Sequence, residues 1–566
     1  MVLKFERERV WVRRAGTRNR TRGGRLLTDT AVRAQHRVAT TKTASTPPDP
    51  TLPVPPDDRE RDSYLQNSHR WVPVASAFGG FLTTVSLLFL VRSQAWAIPL
   101  LIPLAIATIG MIASLVTSVQ KRRDTLRTHR HRVKSYHPSY HPSVDVFLPS
   151  AGEDLAVLAN TFLHVSRLEW AGPITVYVLD DSARESVREL AWEHGFWYLT
   201  RPNRGYLKKA GNLRFGYEHS TGDFIAIFDA DFVPRPDYLL QLMPYTTEED
   251  VAIVQSPQYF DTHPRMNWVQ FAAGATQILF YRWVQPARDR SDAAICVGTC
   301  AIYRRSALEL SGGFAQIGHS EDVHTGVNLM RAGFRVRYVP IVVSRGLCPD
   351  TLDQFVTQQY RWCTGSMSLL FSRTFHKSPL TAMQRLCFWS GFLYYIDTAI
   401  NVFVVSIPPI LMAVLAPEAV SVNNYLFVFL ALIVRLSVVP VITMGSESMT
   451  GLTRIQSTYS FAHALALFDV IRGRTDAWQA TGVKGGSPTA RRVHRLMTIW
   501  CVLVQVLMWG TCLWRAPEYG WYNYLPMLAF AALNLAITYP MILWRIDFPK
   551  LIDPMMPRRT FAGLHG

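Results

Sequence analysis

"FIAIFDADFVP", residues 224–234, runs five apolar side chains directly into Asp229, Ala230 and Asp231. A short continuous apolar run of this kind fits a strand buried on both faces. Three further segments share the shape: VDVFLP (144–149), ITVYVLD (174–180) and FWYLT (196–200). Helix-period stretches separate them. This alternation predicts an α/β domain over 144–375, with a mostly parallel sheet of the nucleotide-binding sort. Ligands of such sheets bind beyond the carboxyl ends of the strands. Asp180–Asp181 and Asp229–Asp231 both fall at such ends.

Composition places that domain in an unusual chain. Of 566 residues, 49% are hydrophobic and only 18% are charged, against about 25% charged in soluble proteins. The apolar excess lies in runs at 72–91, 95–119, 388–415, 424–444, 497–514 and 524–544, each near the roughly 20 residues a bilayer helix needs. The expected organisation is a basic, proline-rich disordered tail (1–70), two transmembrane helices (71–120) and a cytosolic domain (121–380). Four transmembrane helices follow (381–545), with an amphipathic interfacial segment at about 452–490, then a short cytosolic tail (546–566). Arg and Lys crowd the 120–134 and 445–496 segments, which puts the α/β domain and both termini in the cytosol of a multi-pass cell-membrane protein. No further domain is expected after 545.

Residues 1–40 hold eleven Lys and Arg against three acidic residues. Phe5 and Trp11 are the only Phe, Tyr or Trp among them, and no nucleic-acid fold motif follows, so nucleic acid is not an expected partner. Contact with anionic lipid is. Seven cysteines show no CxxC pair, which fits a reduced compartment. The His129, His131, His137 and His141 cluster reads as a solvated juxtamembrane linker in preference to a metal site.

Four polar clusters carry the chemistry. Asp229 and Asp231, two apart on extended chain, can face one site and share a hard divalent cation. Glu321 and Asp322, in GHSEDVHTGV, stand at a predicted helix start. They read either as partners of the helix dipole or as a general base. Gln358, Arg361 and Trp362, in QQYRWCTGS, combine a guanidinium fork with a flat apolar face. Lys208, Lys209, Gly211 and Asn212, in GYLKKAGNLRFG, suit phosphate but lack the P-loop spacing.

The order Asp-Asp, D-x-D, E-D, Q-x-x-R-W, flanked by spans, resembles processive glycosyltransferase family 2. Cellulose synthases and cellulose-synthase-like proteins are nearest in pattern, and hyaluronan and chitin synthases are related. The resemblance implies a glycosyltransferase-A-like nucleotide-sugar transferase domain inserted in a multi-span helical membrane domain. It also implies roles. Ser150 and Glu153 contact the base, with Ala151 standing where the family has an aromatic residue. Asp180 and Asp181 hold the nucleotide, and Lys209, Gly211 and Asn212 the diphosphate. Asp229 and Asp231 bind Mg2+ or Mn2+, and Asp322 is the general base. Gln358, Arg361 and Trp362 hold acceptor and diphosphate, with Gly298 and Thr299 beside the acceptor. WQATGVK (478–484) loosely resembles a gating loop.

The function so implied is inverting, processive polymerisation of a β-linked polysaccharide for a cell wall or exopolysaccharide. The donor is a UDP-sugar, in first place UDP-glucose, and the acceptor is the growing chain, which is passed across the membrane. Accessory secretion proteins are the further partner class. The alternatives are a UDP-GlcNAc-using synthase of the hyaluronan or chitin type, a non-processive transferase acting on a lipid carrier, and a non-catalytic scaffold or channel.

Overall fold

A computed structural model describes residues 31–32, 52–66, 71–260, 267–442, 449–474 and 487–544. The α/β domain is built on eleven strands: β1 Ala31–Val32, β2 Val144–Ser150, β3 Ile174–Asp180, β4 Trp197–Leu199, β5 Phe224–Ile227, β6 Phe232–Pro234, β7 Val251–Gln255, β8 Tyr259–Phe260, β9 Ala301–Arg304, β10 Arg335–Tyr338 and β11 Ser344–Gly346. The main sheet has the order β1-β4-β3-β2-β5-β9-β7-β10. β2, β3, β4 and β5 are mutually parallel, as are β7 and β10. The sheet is mixed because β9 runs antiparallel to both β5 and β7. A helical excursion, Trp268–Arg290, returns the chain to the sheet from the opposite end.

Period-two alternation explains why β2 is central. Val144, Val146 and Leu148 enter one apolar layer, and Phe147 enters the other with Leu179, Ile225 and Ile227. Burial on both faces is the condition under which a parallel strand reads as continuous apolar sequence. The strands therefore end together, with Ser150, Asp180 and the Asp229 turn on one edge. The smaller sheet, β6-β11-β8, lies beside that edge.

Among the described residues, five helices are long and apolar enough to cross a membrane: Trp71–Ser93, Ala95–Ser118, Ala382–Leu415, Pro488–Tyr519 and Trp521–Leu543. The run at 424–444 forms a shorter helix, Leu426–Ile442, that packs on Trp71–Ser93. The amphipathic segment forms Met449–Ile471, packed along Leu352–Leu370.

The boundary of the N-terminal tail needs correcting. Residues 52–66 are a strap bound across the α/β domain. Asp57 caps a short helix, Asp58–Asp62, through a reciprocal pair with Glu60. The Pro53 carbonyl accepts from Asn160 Nδ2 at 2.8 Å, and the Pro56 carbonyl from Arg235 at 2.6 Å. Asp58 pairs with Arg235, Glu60 with Arg345 and Asp62 with Arg130. Tyr64 is 1% exposed and meets Tyr259 edge-on. Proline-rich composition excludes a packed helix, but the extended chain it enforces presents carbonyls, and the domain supplies Asn160 and Arg235 for them.

The linker after the second span is also held. Arg122 donates to the Tyr64 and Arg282 carbonyls, and Asp124 pairs with the buried Arg337 at 2.6 Å. His129 is not solvated: its ring sits 2.9 Å from both the Tyr245 hydroxyl and Gln241 Oε1.

Candidate active site

The strand ends and two helices enclose a cavity of about 2270 Å3. Its wall includes Ser150, Glu153, Asp181, Lys209, Asn212, Asp229, Asp231, Asp322, Gln358, Arg361 and Trp362. All four polar clusters of the sequence thus contribute to one space. The cavity continues past Trp362 to Tyr394, Tyr395, Tyr459, Pro540 and Trp544, on helices of the membrane-spanning part and the helix beside them.

Asp180 does not reach this space. It is fully buried and accepts from Ser150 Oγ (3.2 Å), Tyr198 OH (3.0 Å) and the amides of Ser182 and Arg184 (both 2.9 Å). Its carboxylate fixes the turn after β3. Asp181 faces the cavity, held by a partner the sequence reading missed. Arg201 Nε and Nη2 each approach its carboxylate oxygens at 2.6 Å. Arg201 stands just after β4, a basic residue at the strand end next to an acidic one. That adjacency was the available signal.

The same arginine explains Gly211. A Cβ there would lie 2.2 Å from Arg201 Nη1 and 2.4 Å from the Tyr206 carbonyl. Gly211 makes room for the guanidinium, and its neighbours Lys209 and Asn212 line the cavity. Its neighbour Asn212 anchors to the Leu179 carbonyl at 2.7 Å.

Lys209 lies on the helix Lys208–Glu218, entered through left-handed backbone at Leu207 and Lys208. Its Nζ binds Asp229 and the Gly298 carbonyl. Burial opposes its charge, but Asp229, followed by Glu321, outweighs that and holds the ammonium above its ordinary range. Gly298 and Thr299 brace the site from behind and do not line it. The Asp229 amide donates to Thr299 Oγ1 at 2.9 Å. Gly298, at φ 74°, lets Asp322 approach to where a Cβ would be 2.9 Å away.

Asp322 stands in the first turn of Glu321–Arg331, behind a left-handed Ser320. Burial and then the Glu321 charge push its carboxyl up to about 7. Burial likewise raises Glu321. Asp231 is pushed up to about 7 by burial, then by Asp229. Gln358, Arg361 and Trp362, at spacings of three and four, share one face of Leu352–Leu370. Burial lowers Arg361 against the pull of Asp229, Glu321 and Asp322.

The donor set fits a divalent cation. Asp229 and Asp231 offer hard oxygen ligands, and the strongly desolvated Asp231 gains from a nearby positive charge. No group of three or more His, Cys, Asp and Glu side chains is arranged to hold a metal among the described residues. The arrangement therefore suits an ion shared with phosphate oxygens. WQATGVK (478–484) and residues 545–566 lie outside the described residues.

Comparison with known proteins agrees with this geometry. The family described as Glycosyltransferase like family 2 matches residues 141–365. The UDP-forming cellulose synthase catalytic subunit of Xanthomonas axonopodis pv. citri (strain 306) is 34% identical over 267 residues, covering 45% of this chain and 36% of that protein. Those of Komagataeibacter xylinus (cellulose synthase 1) and Pseudomonas fluorescens (strain SBW25) are 34% and 33% identical. They cover 45% and 46% of this chain, and 35% and 36% of those proteins. The chain thus spans little more than a third of the length of the curated relatives it matches. Among solved structures, the Pyrobaculum calidifontis mannosyltransferase PcManGT in complex with GDP-Man and Mn2+ is 18% identical. The match covers 65% of this chain and 98% of that one, with a TM-score of 0.46. The strand-end acids, the helix bearing Gln358, Arg361 and Trp362, and the matched relatives fall in one stretch: residues 141–365 are similar to Glycosyltransferase like family 2 and to the catalytic subunits of bacterial cellulose synthases.

Proposed function

We propose that the chain is a processive, inverting glycosyltransferase that builds a β-linked glucan from UDP-glucose and passes it across the membrane. The observation that carries this reading is the continuity of one cavity from Asp181 and Asp231, past Asp322 and Trp362, to Tyr394, Tyr459 and Trp544. A polar chain needs a lined route through hydrocarbon, and this one starts at the acids.

The roles follow from chemistry. Ser150, Glu153 and Asp181 receive the nucleotide. Asp229 and Asp231 would hold a divalent metal, Mg2+ or Mn2+, which when bound would supply positive charge for the departing diphosphate. Lys209 and Arg361 add fixed positive charge on the same side. Asp322 takes the proton from the acceptor hydroxyl, which attacks the anomeric carbon from the face opposite the leaving group and inverts it. Trp362 supports the acceptor ring, and Gln358 orients it. In this reading two spans precede the domain and four follow, with the domain and both termini cytosolic. Growing glycan and membrane lipid are the other partners.

The test is to incubate membranes containing the protein with individual labelled UDP-sugars, then digest any insoluble product with linkage-specific hydrolases. Incorporation from UDP-glucose into material cleaved by a β-glucanase supports the reading. Incorporation from UDP-GlcNAc alone replaces the donor, and no incorporation from any sugar nucleotide rejects the function.

A further inference from the structure

Arg288 lines the same cavity and meets no counter-charge among the described residues. It lies on Gln285–Arg290 and is 3% exposed. Its Nη2 is 3.3 Å from Ser390 Oγ, while Nε and Nη1 meet no acceptor among the described residues. The adjacent Asp289 is turned away, bound to Arg337 at 3.1 Å and to the Tyr338 amide at 2.8 Å. Asp229, Glu321 and Asp322 act on Arg361, but none of them acts on Arg288. A buried guanidinium without a counter-charge is costly, and its fork of donors is shaped for an oxyanion.

The surroundings define the ligand. Gly391 leaves the guanidinium room, since a Cβ there would lie 3.0 Å from Nη2. The nearby wall comes from Ser114, Thr117 and Ser118, at the end of one apolar span, and from Ser390 in another. This is the level at which spanning helices meet the α/β domain. A neutral glucan carries no anion, and the donor diphosphate already has Lys209 and Arg361. We infer that Arg288 and Ser390 form a separate anion subsite that takes a phosphate ester at the membrane end of the cavity.

The test uses the full chain in an uncharged detergent and reads the melting temperature, because a ligand that binds only the folded state raises it. The probes are dihexanoyl phosphatidic acid, inorganic phosphate and, as an uncharged control, dihexanoylglycerol. The expected result is a rise with phosphatidic acid whose half-saturating concentration increases about tenfold or more in Arg288→Gln, the effect of one lost charge-assisted hydrogen bond, and less in Arg288→Lys. Gly391→Ala, which crowds the guanidinium without removing charge, weakens the same response and serves if Arg288→Gln does not fold. An equal Arg288-dependent rise with inorganic phosphate upholds the subsite and makes a free ion its ligand. A rise that ignores Arg288, one reproduced by dihexanoylglycerol, or none with any probe overturns the inference. No sugar donor enters the assay, so its outcome is independent of the proposed transfer reaction.

Discussion

Arg201 and Asp181 form a two-pronged pair, with both nitrogen–oxygen distances 2.6 Å and side chains 1% and 9% exposed. The pair fixes a carboxylate that lines the cavity at the strand ends. Arg201→Ala leaves Asp181 buried without its partner and is expected to cost about 3–5 kcal/mol of stability. Arg201→Lys restores little, because an ammonium cannot fork. Thermal denaturation of the two variants checks this, and a wild-type melting temperature for Arg201→Ala contradicts it.

In the proposed reaction Asp322 sets the acid limb of the pH profile. Its carboxyl is pushed up to about 7, and the base must be ionised to accept a proton. Transfer should therefore rise with pH through about 7 and level off above it. Asp322→Asn abolishes transfer and leaves nucleotide binding intact. The variant also separates function from stability. A carboxyl with a raised folded pKa binds its proton more tightly folded than unfolded, so its penalty grows as pH rises from the unfolded value and is complete above about 7. Asp322→Asn should then melt higher than wild type at pH 8 and equally at the acid end. A flat pH–rate profile from pH 6 to 8 removes the assignment.

Metal dependence tests the acidic pair. Chelation of divalent cations stops transfer, and added Mg2+ or Mn2+ restores it. Asp231→Asn raises the metal concentration for half-activity by about tenfold or more, since even groups outside the ligand shell carry effects of that size. Undiminished transfer in excess chelator contradicts the role given to Asp229 and Asp231.

The strap is predicted to be a working part of the domain. Tyr64 is 1% exposed, and its carbonyl receives Arg122. Tyr64→Ala is expected to cost about 3–5 kcal/mol, as for other buried aromatic residues. Limited proteolysis should then cut near residues 52–66 at concentrations that spare the wild type. Identical cleavage of the two proteins would show that the strap contributes nothing.

The strand ends and the order of the motifs were readable because both are local. An apolar run that stops at a carboxylate needs no knowledge of its neighbours, and the spacing of Gln358, Arg361 and Trp362 already defines a helix face. What escaped reading was set by distant partners. Gly211 looked like a phosphate contact, yet its missing side chain accommodates Arg201, ten residues earlier. Asp180 and Asp181 looked alike, but one closes a turn and the other faces the cavity. Residues 52–66 carry the composition of a loose spacer, and only the placement of Arg235, Arg345 and Arg130 shows that they are bound. The pairing of Asp124 with Arg337 spans 213 positions, a separation no local pattern encodes.

The account rests on one cavity that retains a lengthening glycan while Asp322 acts on its end. Product length at low conversion, with donor in excess and enzyme limiting, tests this most directly, comparing wild type with Trp362→Ala. The account predicts long chains from the wild type while most acceptors are still unextended, and from Trp362→Ala shorter chains with a larger share of donor lost to hydrolysis. Products that lengthen in step, one sugar at a time across all acceptors, or a single sugar left on a lipid, would contradict it.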